Sequence, residues 1–305
     1  MLLYGKPIAE KIKDNLKSQI PLLFGKREKY VAILFFWENS SSSTYVHYKQ
    51  KYAEEIWIQT FVFWQEKEQD ISHFPELKNR TQKKYSEVNQ IFELISFLNE
   101  DEKCIGIMIQ LPLPDSFSEY KLNLLQSIRE DKDIDWLGGS LIGKGFCDMI
   151  DFSPATPKAV FTLLDSYQLG DLKGKRVAII GQSIIVGKPL ALEAIKRWAI
   201  VQCFDISSTP EELQEGCKNA EYLFCGTWVI DLINEKHINN NGNQILIDIW
   251  YWHKEGKPAG DIDFESVKDK VKHITPVPWG VGPLTIASLF DNVIILAKQF
   301  WNILK

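Results

Sequence analysis

Apolar residues fall along this chain in two registers. Ile8, Ile12, Leu16 and Ile20 stand four apart, which predicts an amphipathic packing helix over 8–20. Tyr30-Val-Ala-Ile-Leu-Phe-Phe36 is instead an unbroken apolar run, as expected of a strand buried on both faces of a parallel sheet. A serine-rich turn over 39–43 offers N-cap oxygens to a helix over 44–56. Then come a weaker strand over 60–64, a polar stretch over 65–85 that reads as a solvated loop, and a helix over 86–99. Cys104-Ile-Gly-Ile-Met-Ile-Gln110 is a second buried strand. Pro112 and Pro114 end it and leave Gln110 at the carboxyl end, where ligands of open α/β sheets collect. A helix is predicted over 118–129, and the glycine-rich 137–153 reads as an irregular junction between domains.

Past this junction Pro154-Ala-Thr-Pro157 opens a helix, and strands then alternate with helices. Strands are expected over 175–181, 200–205, 221–225 and 244–249, and helices from about 188 and over 209–217. A stiff proline-glycine loop over 274–283 precedes a final helix over about 284–303. Alternation of this kind predicts a second parallel sheet, so the fold class is α/β.

Composition narrows the function. With 305 residues, 45% apolar and 25% charged, the chain is long enough for two domains with real cores. A net charge of −5 argues against nucleic acid as a partner, because a phosphate-binding surface needs a basic excess. Five cysteines, with no C-x-x-C or histidine-paired spacing, speak against a disulfide framework or a zinc site, so no metal is expected. The N-terminus lacks a basic segment followed by a long apolar one, and no run reads as a membrane span. The expectation is a cytoplasmic protein acting on small molecules.

The candidate chemistry lies in three places. Lys175-Arg-Val-Ala-Ile-Ile-Gly-Gln-Ser-Ile-Ile-Val-Gly-Lys-Pro189 reads as strand, glycine turn, helix start, an arrangement that aims free N–H groups at an anion such as a pyrophosphate. Its glycines, Gly181 and Gly187, do not have the G-x-G-x-x-G spacing, and a plain corner without a ligand is the competing reading. Tyr45 and Lys49 share one face of their helix, which by itself could be only a solvated face. Asp135, in Lys132-Asp-Ile-Asp135, could by itself be only a turn residue. His47 points off the Tyr45/Lys49 face and is expected to be structural or exposed.

Several stretches taken together resemble one family. Tyr45-Val-His-Tyr-Lys49, Gly106-Ile-Met-Ile-Gln-Leu-Pro-Leu-Pro114, Lys132-Asp-Ile-Asp135 and Pro276-Val-Pro-Trp-Gly-Val-Gly-Pro-Leu-Thr285 are similar to motifs of the FolD-type methylenetetrahydrofolate dehydrogenase/cyclohydrolase family. Gly181 to Pro189 and Gly260-Asp-Ile-Asp-Phe264 fall where that family has them. The resemblance implies two α/β domains around a cleft, the second a Rossmann-like parallel sheet, in a homodimer. On it, 1–150 is the folate-binding catalytic domain, 151–283 the dinucleotide-binding domain, and 284–305 a helix packing back on the first. It implies oxidation of 5,10-methylenetetrahydrofolate with a nicotinamide cofactor, and hydrolysis of the methenyl product to 10-formyltetrahydrofolate. Lys49 is the residue for the hydrolysis, since desolvation can lower a lysine's pKa towards the range where it moves protons. Gln110 holds Lys49 without fixing its charge, Tyr45 offers a face to the folate, and Asp135 accepts hydrogen bonds from the pterin edge. Gly282 and Pro283 are placed with the substrate. Thr156, Gly181, Gln182, Ser183, Ile185, Val186, Gly187, Pro189, Asp205 and Thr285 are placed with the cofactor.

Two departures from the family pattern change the expectations. Position 182 is glutamine where the family has an arginine that pairs with the 2′-phosphate of NADP, and Asp205 ends its strand 24 residues after Gly181, suited to a ribose diol. NAD is therefore expected over NADP, unless Asp205 only caps the helix near Thr209. The second departure is tryptophan. Trp37, Trp57, Trp136, Trp250 and Trp279 stand where the family pattern has glycine, with Trp198 and Trp228 as further candidates. An indole supplies neither glycine's φ freedom nor its close approach. One explanation is a UGA codon read as glycine by the source organism and written here as tryptophan; the other is a diverged homologue with true tryptophans. Two functional alternatives accompany these departures: an NAD-dependent dehydrogenase lacking the cyclohydrolase step, and an inactive folate-binding homologue whose site Trp136 and Trp279 fill.

Overall fold

A computed structural model describes residues 1–25, 28–36, 40–63, 69–150, 154–239, 241–254 and 257–301. The chain divides into two compact units. One comprises Ile12–Phe152 with Leu289–Lys305, the other Met1–Lys11 with Ser153–Ser288.

The first unit is built on a three-stranded parallel sheet. Its strands are β1 (Tyr30–Leu34), β2 (Gln59–Phe63) and β3 (Cys104–Ile109), in the order β2-β1-β3. All of β1 and β3 is buried, which is why both read as unbroken apolar runs rather than as alternations. Around the sheet run α1 (Lys6–Phe24, its first residues in the other unit), α2 (Ser40–Glu55), α3 (Lys78–Thr81), α4 (Val88–Glu100), α5 (Asp115–Ser118), α6 (Lys121–Ser127) and α7 (Gly139–Phe146). Helix α4 buries Ile91, Leu94, Ile95 and Leu98, one stripe at helical spacing.

Four sequence expectations are corrected in this unit. Ser40 to Ser43 form the first turn of α2 instead of a preceding turn; Asn39 lies outside the described residues. The polar stretch 65–85 is not a solvated loop where it is described. Phe74, Leu77, Thr81 and Tyr85 are buried, and Phe74 joins Tyr30 and Phe61 in an edge-to-face cluster with centroids 5.2–5.4 Å apart. A few large aromatic rings outweigh the many charged neighbours that made the stretch look wet. The single helix expected over 118–129 is two short ones, α5 and α6. The glycine-rich junction contains α7, held by packing at Leu141 and Gly145 against the poor helix propensity of its glycines.

The second unit carries a five-stranded parallel sheet in the order β10-β7-β6-β4-β5. Its strands are β4 (Arg176–Ile180), β5 (Ile200–Phe204), β6 (Tyr222–Cys225), β7 (Ile245–Asp248) and β10 (His273–Ile274). A two-stranded hairpin of β8 (Trp252–Lys254) and β9 (Lys257–Ala259) stands apart from it. The helices are α8 (Ala155–Ser166), α9 (Gly187–Lys196), α10 (Pro210–Asn219), α11 (Phe264–Val267) and the first part of α12 (Val281–Phe300). Helix α10 starts at a capping box: Thr209 Oγ1 accepts from the Glu212 N–H at 3.2 Å, and a Glu212 oxygen accepts from the Thr209 N–H at 2.9 Å.

Helix α12 corrects one further expectation. By length and composition it could cross a membrane, so a run of that kind does exist. Two thirds of its apolar window is buried inside the fold, Leu284 and Ala287 in the second unit and Phe290, Val293 and Ile294 in the first. Its apolarity is accounted for by core packing.

Candidate active site

The first unit gathers three of the expected residues at the carboxyl end of its sheet. Gln110 follows β3 directly and is anchored there by its own N–H, which donates to the Leu34 carbonyl at the end of β1 (2.8 Å). Its amide is held at both ends: Nε2 donates to the Leu111 carbonyl (2.8 Å) and Oε1 accepts from Lys49 Nζ (2.8 Å). Lys49 comes from α2, the helix after β1, and is only 7% exposed. Burial lowers its pKa from 10.5 to about 8, against the opposing pull of the Asp135 carboxylate. Asp135 in turn is raised above its ordinary value by desolvation, offset by Lys49. The lysine and the Asp135 carboxylate therefore act on each other's charge, while the hydrogen-bond partner of the lysine is a neutral amide. Such an arrangement leaves the lysine able to lose and regain a proton near neutral pH. Tyr45 is half-buried one helical turn before Lys49, and His47 is exposed, as expected.

Asp133, which is not among the expected site residues, shapes the segment that carries Asp135. It is buried, a parallel bridge ties it to Ile107 of β3, and its Oδ2 accepts from the Gly138 N–H at 2.7 Å. Burial, reinforced by the neighbouring charge of Asp135, pushes its carboxyl up to about 7. The only signal in the sequence was its place in the Lys132-Asp-Ile-Asp135 stretch.

The second unit builds the glycine turn. Gly181 has φ +96°, and its N–H donates to the Phe204 carbonyl (2.8 Å) while Gly226 N–H donates to the Ile180 carbonyl (2.9 Å). The carboxyl ends of β4, β5 and β6 are thereby stitched together. A Cβ on Gly187 would lie 1.8 Å from the Gly181 carbonyl oxygen, so the first residue of α9 packs directly on the turn. Ser183 Oγ accepts from the Val186 N–H (3.2 Å), and residues 182 to 185 are half-exposed. A backbone-lined cradle at a helix start suits a dinucleotide pyrophosphate. Val186 and Pro189 are buried behind it.

Asp205 is exposed just past β5, with Oδ1 accepting from the Ser207 N–H at 2.8 Å. It does not cap α10, because Thr209 does. Thr156 lies half-buried on the first turn of α8, and Gly282, Pro283 and Thr285 lie half-buried at the start of α12. Thr285 Oγ1 donates back to the Val281 carbonyl (3.3 Å).

Comparison with known proteins agrees with this division of labour. Residues 3–135 match the catalytic-domain profile of tetrahydrofolate dehydrogenase/cyclohydrolase, and residues 154–301 match its NAD(P)-binding-domain profile. The bifunctional protein FolD of Thermodesulfovibrio yellowstonii is 37% identical over 309 residues, covering 100% of this chain and 99% of that protein. The bifunctional protein FolD of Campylobacter jejuni subsp. doylei is 36% identical over 306 residues, covering 99% of each. A crystal structure of the bifunctional FolD dehydrogenase/cyclohydrolase from Campylobacter jejuni superposes with a TM-score of 0.83 at 34% identity, covering 98% of this chain and 99% of that one. With full-length relatives at this identity and both of its domains matched, the chain belongs to the FolD-type methylenetetrahydrofolate dehydrogenase/cyclohydrolase family.

Proposed function

We propose that this chain oxidises 5,10-methylenetetrahydrofolate to the 5,10-methenyl cation and hydrolyses that cation to 10-formyltetrahydrofolate. The observation that carries the reading is Lys49: buried, with its pKa lowered to about 8, and hydrogen-bonded at 2.8 Å to an amide rather than to a carboxylate. A bound nicotinamide dinucleotide supplies the hydride acceptor, and the Gly181–Gly187 cradle is the part of this chain that fits its pyrophosphate. Oxidation removes a hydride from the methylene carbon and leaves the cation. In the hydrolysis neutral Lys49 takes a proton from the water that adds to the methenyl carbon and returns it to N5 as the carbon–N5 bond opens, while the remaining hydroxyl proton leaves to solvent as the formyl carbonyl forms. Gln110 fixes the lysine's position in both protonation states. Asp135 receives the pterin edge, and Tyr45 packs on the folate ring. Following reduced cofactor and methenyl absorbance separately tests the pair of activities: both signals are expected, and a methenyl product that persists would leave a dehydrogenase only. Retention of Lys49 with Gln110 favours the bifunctional reading over that alternative.

Within this reading NAD is preferred over NADP. Gln182 lacks the charge to pair with a 2′-phosphate, and Asp205, free of any capping duty, places an acidic group past β5. Gln182→Arg is expected to shift the ratio of kcat/KM values for NADP and NAD by about tenfold towards NADP, equivalent to one charge-assisted contact. An unmodified enzyme that already prefers NADP would sink the assignment. The proposal includes a cytoplasmic homodimer, and a monomeric mass by light scattering would remove the dimer.

A further inference from the structure

We propose that positions 57, 136, 198 and 228 are glycine in the protein its source organism makes, the four tryptophans being UGA codons that this organism reads as glycine. Among the described residues seven non-glycine positions have a left-handed φ: Trp57 (68°), Trp136 (57°), Asp148 (55°), Gln168 (59°), Trp198 (61°), Trp228 (71°) and Asp231 (56°). Aspartate tolerates that region through its short polar side chain, whereas a bulky residue there is an outlier. Ten tryptophans in 305 residues would leave well under one expected among seven positions, and four are present.

Two of the four occupy the backbone position most characteristic of glycine. After α2, Trp57 N–H donates to the Glu54 carbonyl (3.2 Å) and Ile58 N–H to the Ala53 carbonyl (3.0 Å). After α9, Trp198 N–H donates to the Ile195 carbonyl (2.9 Å) and Ala199 N–H to the Ala194 carbonyl (3.0 Å). Each is a Schellman helix end with tryptophan at the left-handed position where glycine is the usual residue. Gln168 closes α8 in the same way, so a long side chain can be accommodated there; it is the concentration of one residue type that demands a cause. Packing gives none at the second of these helix ends, where Trp198 is 77% exposed. Trp228 sits in the loop after β6, its N–H donating to Asp261 (3.3 Å), and Trp136 follows Asp135 directly in the turn that Asp133 holds. A single base change joins the tryptophan codon UGG to the glycine codon GGG, but four separate changes, all at left-handed positions, explain the exchange less economically than one codon, UGA, ordinarily a stop, which reassigned tables read as tryptophan or as glycine. Trp250 and Trp279 are not among the left-handed residues, and Trp37 lies outside the described ones, so the inference is confined to four positions.

The test is independent of catalysis. Peptides spanning the four positions, digested from source cells and weighed, are expected to carry glycine masses over UGA codons; tryptophan masses, or UGG codons, overturn the proposal. A second measurement uses the full chain as written. Trp57→Gly with Trp198→Gly is expected to raise Tm by about 4–8 °C through relief of two left-handed side chains. Trp301→Gly, which removes an edge contact to Phe24 and a hydrogen bond to Asp131, is expected to lower it. A double variant that melts at or below the unmodified chain counts against the proposal.

Discussion

Lys49→Gln is expected to lower the hydrolytic rate by about 10²- to 10⁴-fold, the usual contribution of a positioned acid–base group, while oxidation with NAD stays within about tenfold. Glutamine can still donate to Gln110 Oε1, so the variant removes the titrating amine without leaving that amide unpartnered. The pH profile separates this role from a structural one. Burial lowers Lys49 in the folded protein to about 8, so the lysine is charged below that pH and neutral above it. If the neutral amine accepts the proton from water, hydrolysis rises with pH and levels off above about 8, and the inflection is lost in Lys49→Gln. Asp135 acts in the opposite sense, since its negative charge holds the lysine's proton on. A flat profile in the unmodified enzyme, or a variant with full hydrolytic activity, would remove Lys49 from the mechanism.

How much of this was legible before the structure depends on how local each signal is. The buried strands could be read because every residue of β1 and β3 is inside, leaving unbroken apolar runs. Lys49 and Gln110 are 61 residues apart, and their 2.8 Å contact follows from one being on the helix after β1 and the other at the end of the neighbouring strand. No spacing rule predicts that meeting; it came from resemblance. Asp133 escaped notice because a buried carboxylate that organises a turn looks in sequence like any turn aspartate. Phe74 and Tyr85 were hidden among charges, since burial of a few rings outweighs the composition of a whole stretch. The hairpin of β8 and β9 was missed for another reason: three-residue strands with Lys254, Lys257 and Pro258 carry no alternation to read. The tryptophans at 57, 136, 198 and 228 show the reverse case, in which residue type and backbone conformation disagree and the disagreement is itself informative.

Gly187→Ala is expected to raise the KM for the dinucleotide by about 5- to 150-fold while leaving hydrolysis of supplied methenyltetrahydrofolate near the unmodified rate. The added carbon would sit 1.8 Å from the Gly181 carbonyl oxygen, 2.7 Å from its carbonyl carbon and 2.9 Å from Gln182 Cα. All three are backbone atoms, so no side chain can swing aside; the turn itself must move. Gly181 cannot absorb the shift freely, because it is held at φ +96° by its N–H on the Phe204 carbonyl and lies against the backbone of Gly226. Overpacking of this kind costs roughly 1–3 kcal/mol, and when it is taken up by displacing the N–H groups that face a pyrophosphate it appears as the stated loss of affinity. Lys49 and Gln110, the residues proposed for the hydrolysis, and Asp135, proposed for the pterin edge, all belong to the other unit, and the proposed hydrolysis uses no dinucleotide. Gly143→Ala is the control, since a Cβ there meets nothing within 4 Å. Steady-state kinetics with varied NAD, run beside the cofactor-free hydrolysis, checks the separation: an unchanged KM would mean the turn does not hold the cofactor, and an equal fall in both activities would mean that Gly187 supports the fold of the whole chain rather than the cradle.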